Sequence, residues 1–132
     1  MAVEYKRNVK KAPQYYNKTG EIKVILKLQN LIEYIYVLIN KFPRGEIFNL
    51  TSDIKNNIFE CLEALVFAKN VIDKKLKVKY IMVAEAKLNI LNVLVRVARK
   101  NNYINSKNYS VWSYKITEIA DMLGKWRLFC LK

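Results

Sequence analysis

The sequence predicts an all-α protein, an antiparallel up-down-up-down four-helix bundle, and three observations carry that reading. Apolar residues make up 52% of the chain, above the usual globular share. Three glycines and two prolines are the only strong breakers in 132 residues, which favours long uninterrupted elements. Apolar positions recur at three- and four-residue steps, the period of a helix face, and the connections between such runs are short. No strand alternation, internal repeat or low-complexity tract competes. The length fits one domain with a substantial core.

Residues 1–20 are basic, tyrosine-containing and aperiodic, and read as an N-terminal arm or a short extra helix. The bundle is expected over residues 21–132. In the first helix Ile22, Ile25, Leu28, Ile32, Ile35, Ile39 and Phe42 share one face. Pro43 ends it, because the residue before a proline is biased out of helical ψ. The corner "KFPRG" is thus a stop signal first. Asn49 is the expected N-cap of the second helix, with Asp53 near the positive end of its dipole. Its buried face reads Ile54, Ile58, Cys61 or Leu62, Leu65, Ala68 and Ile72.

The third helix is expected over roughly Lys75 to Asn101. Glu85, Asn89, Asn92, Arg96 and Arg99 form one narrow polar stripe on it. Ile81, Val83, Ala84, Leu88, Ile90, Leu91, Val93, Leu94, Val95 and Val97 cover the remaining circumference. Such a wide apolar arc predicts burial on more than one side, in the middle of the bundle or against other subunits. Asn105 or Ser106 caps the fourth helix, whose spine is Tyr109, Trp112, Ile116, Ile119, Leu123 and Trp126. Gly124 interrupts it at a cost of about 1 kcal/mol against alanine, which suggests close backbone packing there.

Charge narrows the function. Lys and Arg total 24 against 11 acids, a formal charge of +13 with no histidine. A surplus of this size points to a polyanionic partner. Residues 69–100 hold a surplus of seven and residues 1–20 a surplus of four, so most of it is local in sequence. The candidate binding residues are Lys6, Arg7, Lys10 and Lys11 in the arm, with Lys74, Lys75, Lys77, Lys79, Arg96, Arg99 and Lys100 in the third helix. Each neutralised phosphate releases a counterion, so such a cluster binds nucleic acid with a steep salt dependence. Tyr5, Tyr15, Tyr16, Tyr80 and Tyr103 lie near basic residues and are candidates for base stacking; Tyr109, Trp112 and Trp126 read as core.

Other classes find little support. Absence of histidine removes His-dependent triads and His-ligated zinc. The glycines form no phosphate-binding loop. Nothing matches a helix-turn-helix reader or an RNA recognition motif. Glu60 and Glu63 are spaced to share a metal but read better as ion-pair partners. No enzyme activity, cofactor or metal is expected. Cys61 and Cys130 lie in apolar patterns and read as reduced, buried thiols. No signal peptide or membrane span is recognisable, so a cytoplasmic location without membrane contact is expected.

Longer stretches carry a resemblance. "LIEYIYVLINKFPRGEIFNLTSDIKNNIFECLEALVFAKN" followed by "AEAKLNILNVLVRVARKNNYINSKNYSVWSYKITEIADMLGKW" resembles the accessory variability determinant (Avd) proteins of diversity-generating retroelements. The most telling pieces are "KFPR" (Lys41 to Arg44) and "EIADMLGKW" (Glu118 to Trp126), and "AEAKLNILNVLVRVA" (Ala84 to Ala98) between them supports the Avd branch over other relatives. The chain is also similar to the wider four-helix-bundle family that includes ribosomal RNA intervening-sequence proteins, which implies the alternative of a structural oligomer without a polymerase partner. The Avd resemblance implies a homopentameric ring with a basic surface. It also implies a non-catalytic role beside a reverse transcriptase, on template RNA and its cDNA. Arg44 reads as an exposed corner residue or, on this resemblance, as a contact to polymerase or RNA.

Overall fold

The computed structural model describes residues 13–132, with side chains from Glu21 onward, Ile22 excepted. Four helices follow in order: α1 (Pro13–Ile39), α2 (Leu50–Asn70), α3 (Lys74–Lys100) and α4 (Ser106–Leu131), with one 3-10 turn at Arg44–Glu46. Among the described residues there is no strand. Each helix packs on its two neighbours in the cycle α1–α2–α3–α4, and among the described residues the backbones of diagonal helices stay apart. Neighbours run antiparallel, because contact partners move in opposite directions along the chain. Asn57 and Lys77 of one pair meet Lys87 and Ala68, while Lys27 and Tyr34 meet Glu118 and Asn108.

The core is one continuous seam of aliphatic and indole side chains. Leu28, Leu31 and Ile35 from α1 meet Ile54, Ile58 and Leu65 from α2, Leu88 and Leu91 from α3, and Trp112, Ile116 and Ile119 from α4, all fully buried. Burial of each such side chain contributes roughly 1.5–3 kcal/mol. The fourth-helix spine is as expected, with Tyr109 half-buried and the other five buried. In α1 the buried stripe is rotated slightly from the expected one. Val24, Leu31 and Leu38 are in the core while Ile25 and Ile32 sit at its margin. This segment has more apolar positions than one stripe can hold, and the neighbours decide which go in.

Several boundaries differ from the sequence reading for physical reasons. Helix α1 starts at Pro13, not Glu21; proline is favoured in the first helical turn, where its missing N–H costs nothing. Gly20 therefore lies inside a helix. Asn49 stands at the N-cap position of α2 but its side chain bonds the Gly45 carbonyl instead, at 3.2 Å. Glu46 takes over the capping role, its Oε1 accepting from the Leu50 amide at 3.2 Å. Asp73 caps α3 by accepting from the Lys75 amide at 3.1 Å, and Asn105 caps α4 by accepting from Asn108 at 2.7 Å. Ile72 is 95% exposed, because α2 has ended at Asn70 and helical period no longer applies. A Cβ added at Gly124 would meet nothing within 4 Å, so close packing does not explain that glycine.

The "KFPRG" corner is pinned from across the bundle. The Tyr103 hydroxyl donates to Glu46 Oε2 at 2.6 Å, and the Tyr103 ring packs on Phe42 at 5.4 Å between centroids. Tyr103 is thereby a structural residue of the corner, engaged by groups that a stacked base would have to displace. Phe48, 92% exposed, and Ile47 stand out from this pinned turn.

The Tyr103 hydroxyl, then the Leu50 amide, hold the Glu46 carboxyl below its ordinary value, and the same bond raises the Tyr103 phenol. A depressed carboxyl stabilises the fold above its unfolded value and loses this as pH falls through the folded one. A raised phenol stabilises below its unfolded value and loses this as pH rises through the folded one. Tyr103→Phe is therefore expected to lower stability most between the ordinary values of 4.5 and 10.0. Urea unfolding of both proteins across pH checks this; a difference that stays constant into acid and alkali would refute it.

Candidate nucleic-acid interface

Where the cations sit follows from the length of α3. Its 27 residues at 1.5 Å each put Lys74 and Lys100 about 39 Å apart. The basic segment that is continuous in sequence is thus divided between the two ends of the bundle. At one end Lys74, Lys75 and Lys79 are exposed, beside Lys69 from the last turn of α2. Lys74, Lys75 and the C-terminal Lys132 line one shallow depression of about 360 Å³. Lys75 and Lys79 flank a second, of about 390 Å³, with Val78, Met82 and Val83. At the other end of the bundle lie exposed Arg96 and Lys100 and half-buried Arg99, together with Lys41, Arg44 and Lys107 from the adjoining connections and helix start. Of these, Lys41 and Arg99 line one depression. Lys6, Arg7, Lys10 and Lys11 lie outside the described residues, as do the side chains of Tyr15 and Tyr16 and all of Tyr5.

Lys77 differs from its neighbours. Only 14% of its side chain is exposed, and its Nζ lies 3.5 Å from Glu21 Oε2. It also donates to the Ala68 carbonyl at 2.7 Å and stands 5.7 Å from the centre of the Trp126 ring. The ion pair is too loose to count as a hydrogen bond, so Glu21 Oε2 has none. One inward lysine here joins α1, α2, α3 and α4. Sequence proximity groups Lys77 with the binding residues but says nothing about which way a lysine points; in the fold its side chain is largely enclosed and engaged by Glu21 and the Ala68 carbonyl.

Other charges are engaged within the fold. Lys87 pairs with Glu60 at 2.7 Å, Lys27 with Glu118 at 3.3 Å, and Arg127 with Glu85 at 2.8 Å. Glu85 holds the Arg127 guanidinium raised above its usual value. Lys74, Lys75, Lys79, Arg96 and Lys100 make no ion pair among the described residues. Among those residues no three His, Cys, Asp or Glu groups converge as metal ligands. Burial pushes the Cys61 thiol up to about 12, so it stays protonated and is no nucleophile. Tyr80 stacks on Phe67 at 5.3 Å, giving an aromatic pair between α2 and α3 with Phe67 half exposed.

A second surface runs along the outside of α3. Ile81, Ala84, Leu88, Leu91, Val95 and Ala98 are buried in the core. On the opposite side Leu76, Met82, Val83, Ile90, Val93 and Val97 are all exposed. At 100° per residue these six fall within about one third of the helix circumference. The wide apolar arc therefore does not mean a central helix; half of it faces outward. An apolar band of this length on the outside of a helix bundle marks an interaction surface.

A family model described as bAvd-like matches residues 23–130. No curated protein matches the chain. No helix among the described residues is long and apolar enough to cross a membrane.

Lys77→Ala is expected to destabilise the fold by about 3 kcal/mol, since it leaves the Glu21 carboxylate buried without a counter-charge. Lys75→Ala, at an exposed site, should stay within about 0.5 kcal/mol. Urea denaturation followed by circular dichroism measures both. Equal effects would mean that Lys77 is another surface lysine.

Proposed function

The chain belongs to the bAvd-like family, and from that premise we propose that it is a non-catalytic, cytoplasmic accessory protein of a diversity-generating retroelement. In this reading it binds RNA, and the cDNA made from it, and associates with the element's reverse transcriptase during mutagenic copying of the template. The observation that carries the reading is the set of exposed cations that make no ion pair among the described residues: Lys74, Lys75 and Lys79 at one end of the bundle, Arg96 and Lys100 at the other. Separation by about the length of the helix suits a long polyanion that spans both ends better than a compact anionic ligand.

The same reading gives the outer face of α3 to other copies of the chain. Met82, Val83, Ile90 and Val93 are exposed in one protomer, and covering them in a homopentameric ring removes apolar surface from water. Five copies, each at +13, would then present a continuous cationic surface. In this reading the pinned corner, with exposed Arg44 and Phe48, is offered to the polymerase.

Binding to structured RNA is expected to weaken steeply with salt, with a log–log slope near −5 if about six phosphates are contacted. Reversing charge at Lys75 and Lys79 should weaken it further, and indifference to both changes would defeat the electrostatic account. Val93→Glu should release protomers by native mass measurement without loss of helical signal, since a charge cannot be covered in an apolar contact. An assembly of unchanged mass would assign the interface to another face. Co-purification of the neighbouring reverse transcriptase tests the partner directly.

A further inference from the structure

Opposite the Lys74–Lys79 end, the bundle carries a basic depression of about 420 Å³, within the size range of small-ligand clefts. Lys41 reaches it from just beyond α1 and Arg99 from the last turn of α3. Asn102, Asn105, Ser106 and Asn108 add amide and hydroxyl groups, and no acidic residue lines it. Neither Lys41 nor Arg99 makes an ion pair among the described residues. Arg99 Nη1 donates to Asn102 Oδ1 at 3.3 Å, a neutral acceptor that orients the guanidinium and leaves its charge intact. Asn102 itself sits at φ 63, a left-handed conformation that asparagine tolerates, so the acceptor is carried on a tight turn. Two cations from separate parts of the chain facing one concavity repel each other, and a bound anion removes that cost.

We propose that this depression is a phosphate-binding subsite for the nucleic-acid strand the protein engages. The proposal rests on the RNA-binding reading above and adds to it a defined position. The planar fork of Arg99 matches two oxygens of one phosphate, and Lys41 supplies a point charge on the other side. The asparagine amides and the Ser106 hydroxyl face the sugar-phosphate backbone, the groups that fix register without reading sequence. Lys41 has no place in the charge count of residues 69–100; only the up-down-up course of the chain, which ends α3 at the same end of the bundle as α1, brings it to Arg99.

The test is a fluorescence-anisotropy titration of the full chain with labelled single-stranded RNA across a salt series. Lys41→Gln with Arg99→Gln is expected to weaken binding about tenfold at low salt and to reduce the slope by about one to two, roughly one for each phosphate no longer neutralised. Arg99→Lys keeps the charge but not the fork, so it should keep the slope and lose about threefold in affinity. Lys74→Gln with Lys75→Gln at the far end is the comparison. If that pair weakens binding while the Lys41 and Arg99 pair leaves affinity and slope unchanged, the subsite is wrong and the RNA-binding reading stands. If the unmodified protein binds no RNA at low salt, both fall. Equal affinity for 5′-hydroxyl and 5′-phosphorylated RNA assigns the site to backbone phosphates. A 5′-phosphate preference that vanishes in the variant assigns it to a strand end. Should the double variant fold poorly by circular dichroism, Lys41→Gln alone, at an exposed position, gives the same readout at about half the effect.

Discussion

Everything else in the structure depends on one apolar seam, in which α3 lies between α2 and α4 and buries a single stripe of its surface. Ile81, Ala84, Leu88, Leu91 and Val95 close against Ile54, Ile58, Cys61 and Leu65 on one side and Trp112, Ile116 and Ile119 on the other. Four small residues, Ala64, Ala68, Ala84 and Ala98, are buried in the same core. Two polar groups that cross the seam are satisfied, the Asn57 amide donating to the Lys87 carbonyl at 2.8 Å and the Cys61 thiol to the Ala84 carbonyl at 3.6 Å. The Trp112 and Trp126 indole N–H groups, in contrast, are buried with no hydrogen-bond partner among the described residues. A helix held along only one stripe has its opposite side left over. On α3 that side is apolar, which is the physical reason to expect a partner there.

The seam also fixes where charge can act. Rigid helices hold Lys74 and Lys100 at opposite ends, and no side-chain motion brings them together. Antiparallel packing of neighbours meanwhile puts cations from unrelated parts of the chain at one end, Lys41 and Arg44 with Arg96, Arg99 and Lys107, and lines one depression with Lys41 and Arg99. The unit of recognition is therefore an end of the bundle, not a segment of sequence. Ion pairs sharpen this division, since Lys27, Lys77, Lys87 and Arg127 each have an acid within reach and contribute less to the outside field.

The corner between α1 and α2 shows how one short stretch serves packing and display together. Phe42 goes into the core, Pro43 turns the chain, and Glu46 caps α2 while holding Tyr103. With the turn fixed at those points, Arg44, Ile47 and Phe48 have nowhere to go but outward. Solvent exposure of a phenylalanine costs free energy in an isolated protomer, and a rigid platform lowers the ordering entropy lost when a partner covers it.

From sequence alone, the helical period and scarcity of breakers determined four helices, their order and most of the core. These are local properties: spacing sets which residues share a face, and proline or an Asn or Asp cap sets where a helix ends. The family resemblance was legible as well, because it lies in the order and spacing of the same packing segments. Tertiary structure decided the rest. It turned Lys77 inward, made Glu46 rather than Asn49 the cap of α2, placed Ile72 in solvent and split one basic run between two ends. It also brought Lys41 to Arg99. Each of these depends on what a neighbouring helix presents at close range, and the local pattern of a chain does not encode the distance between residues that only folding brings together.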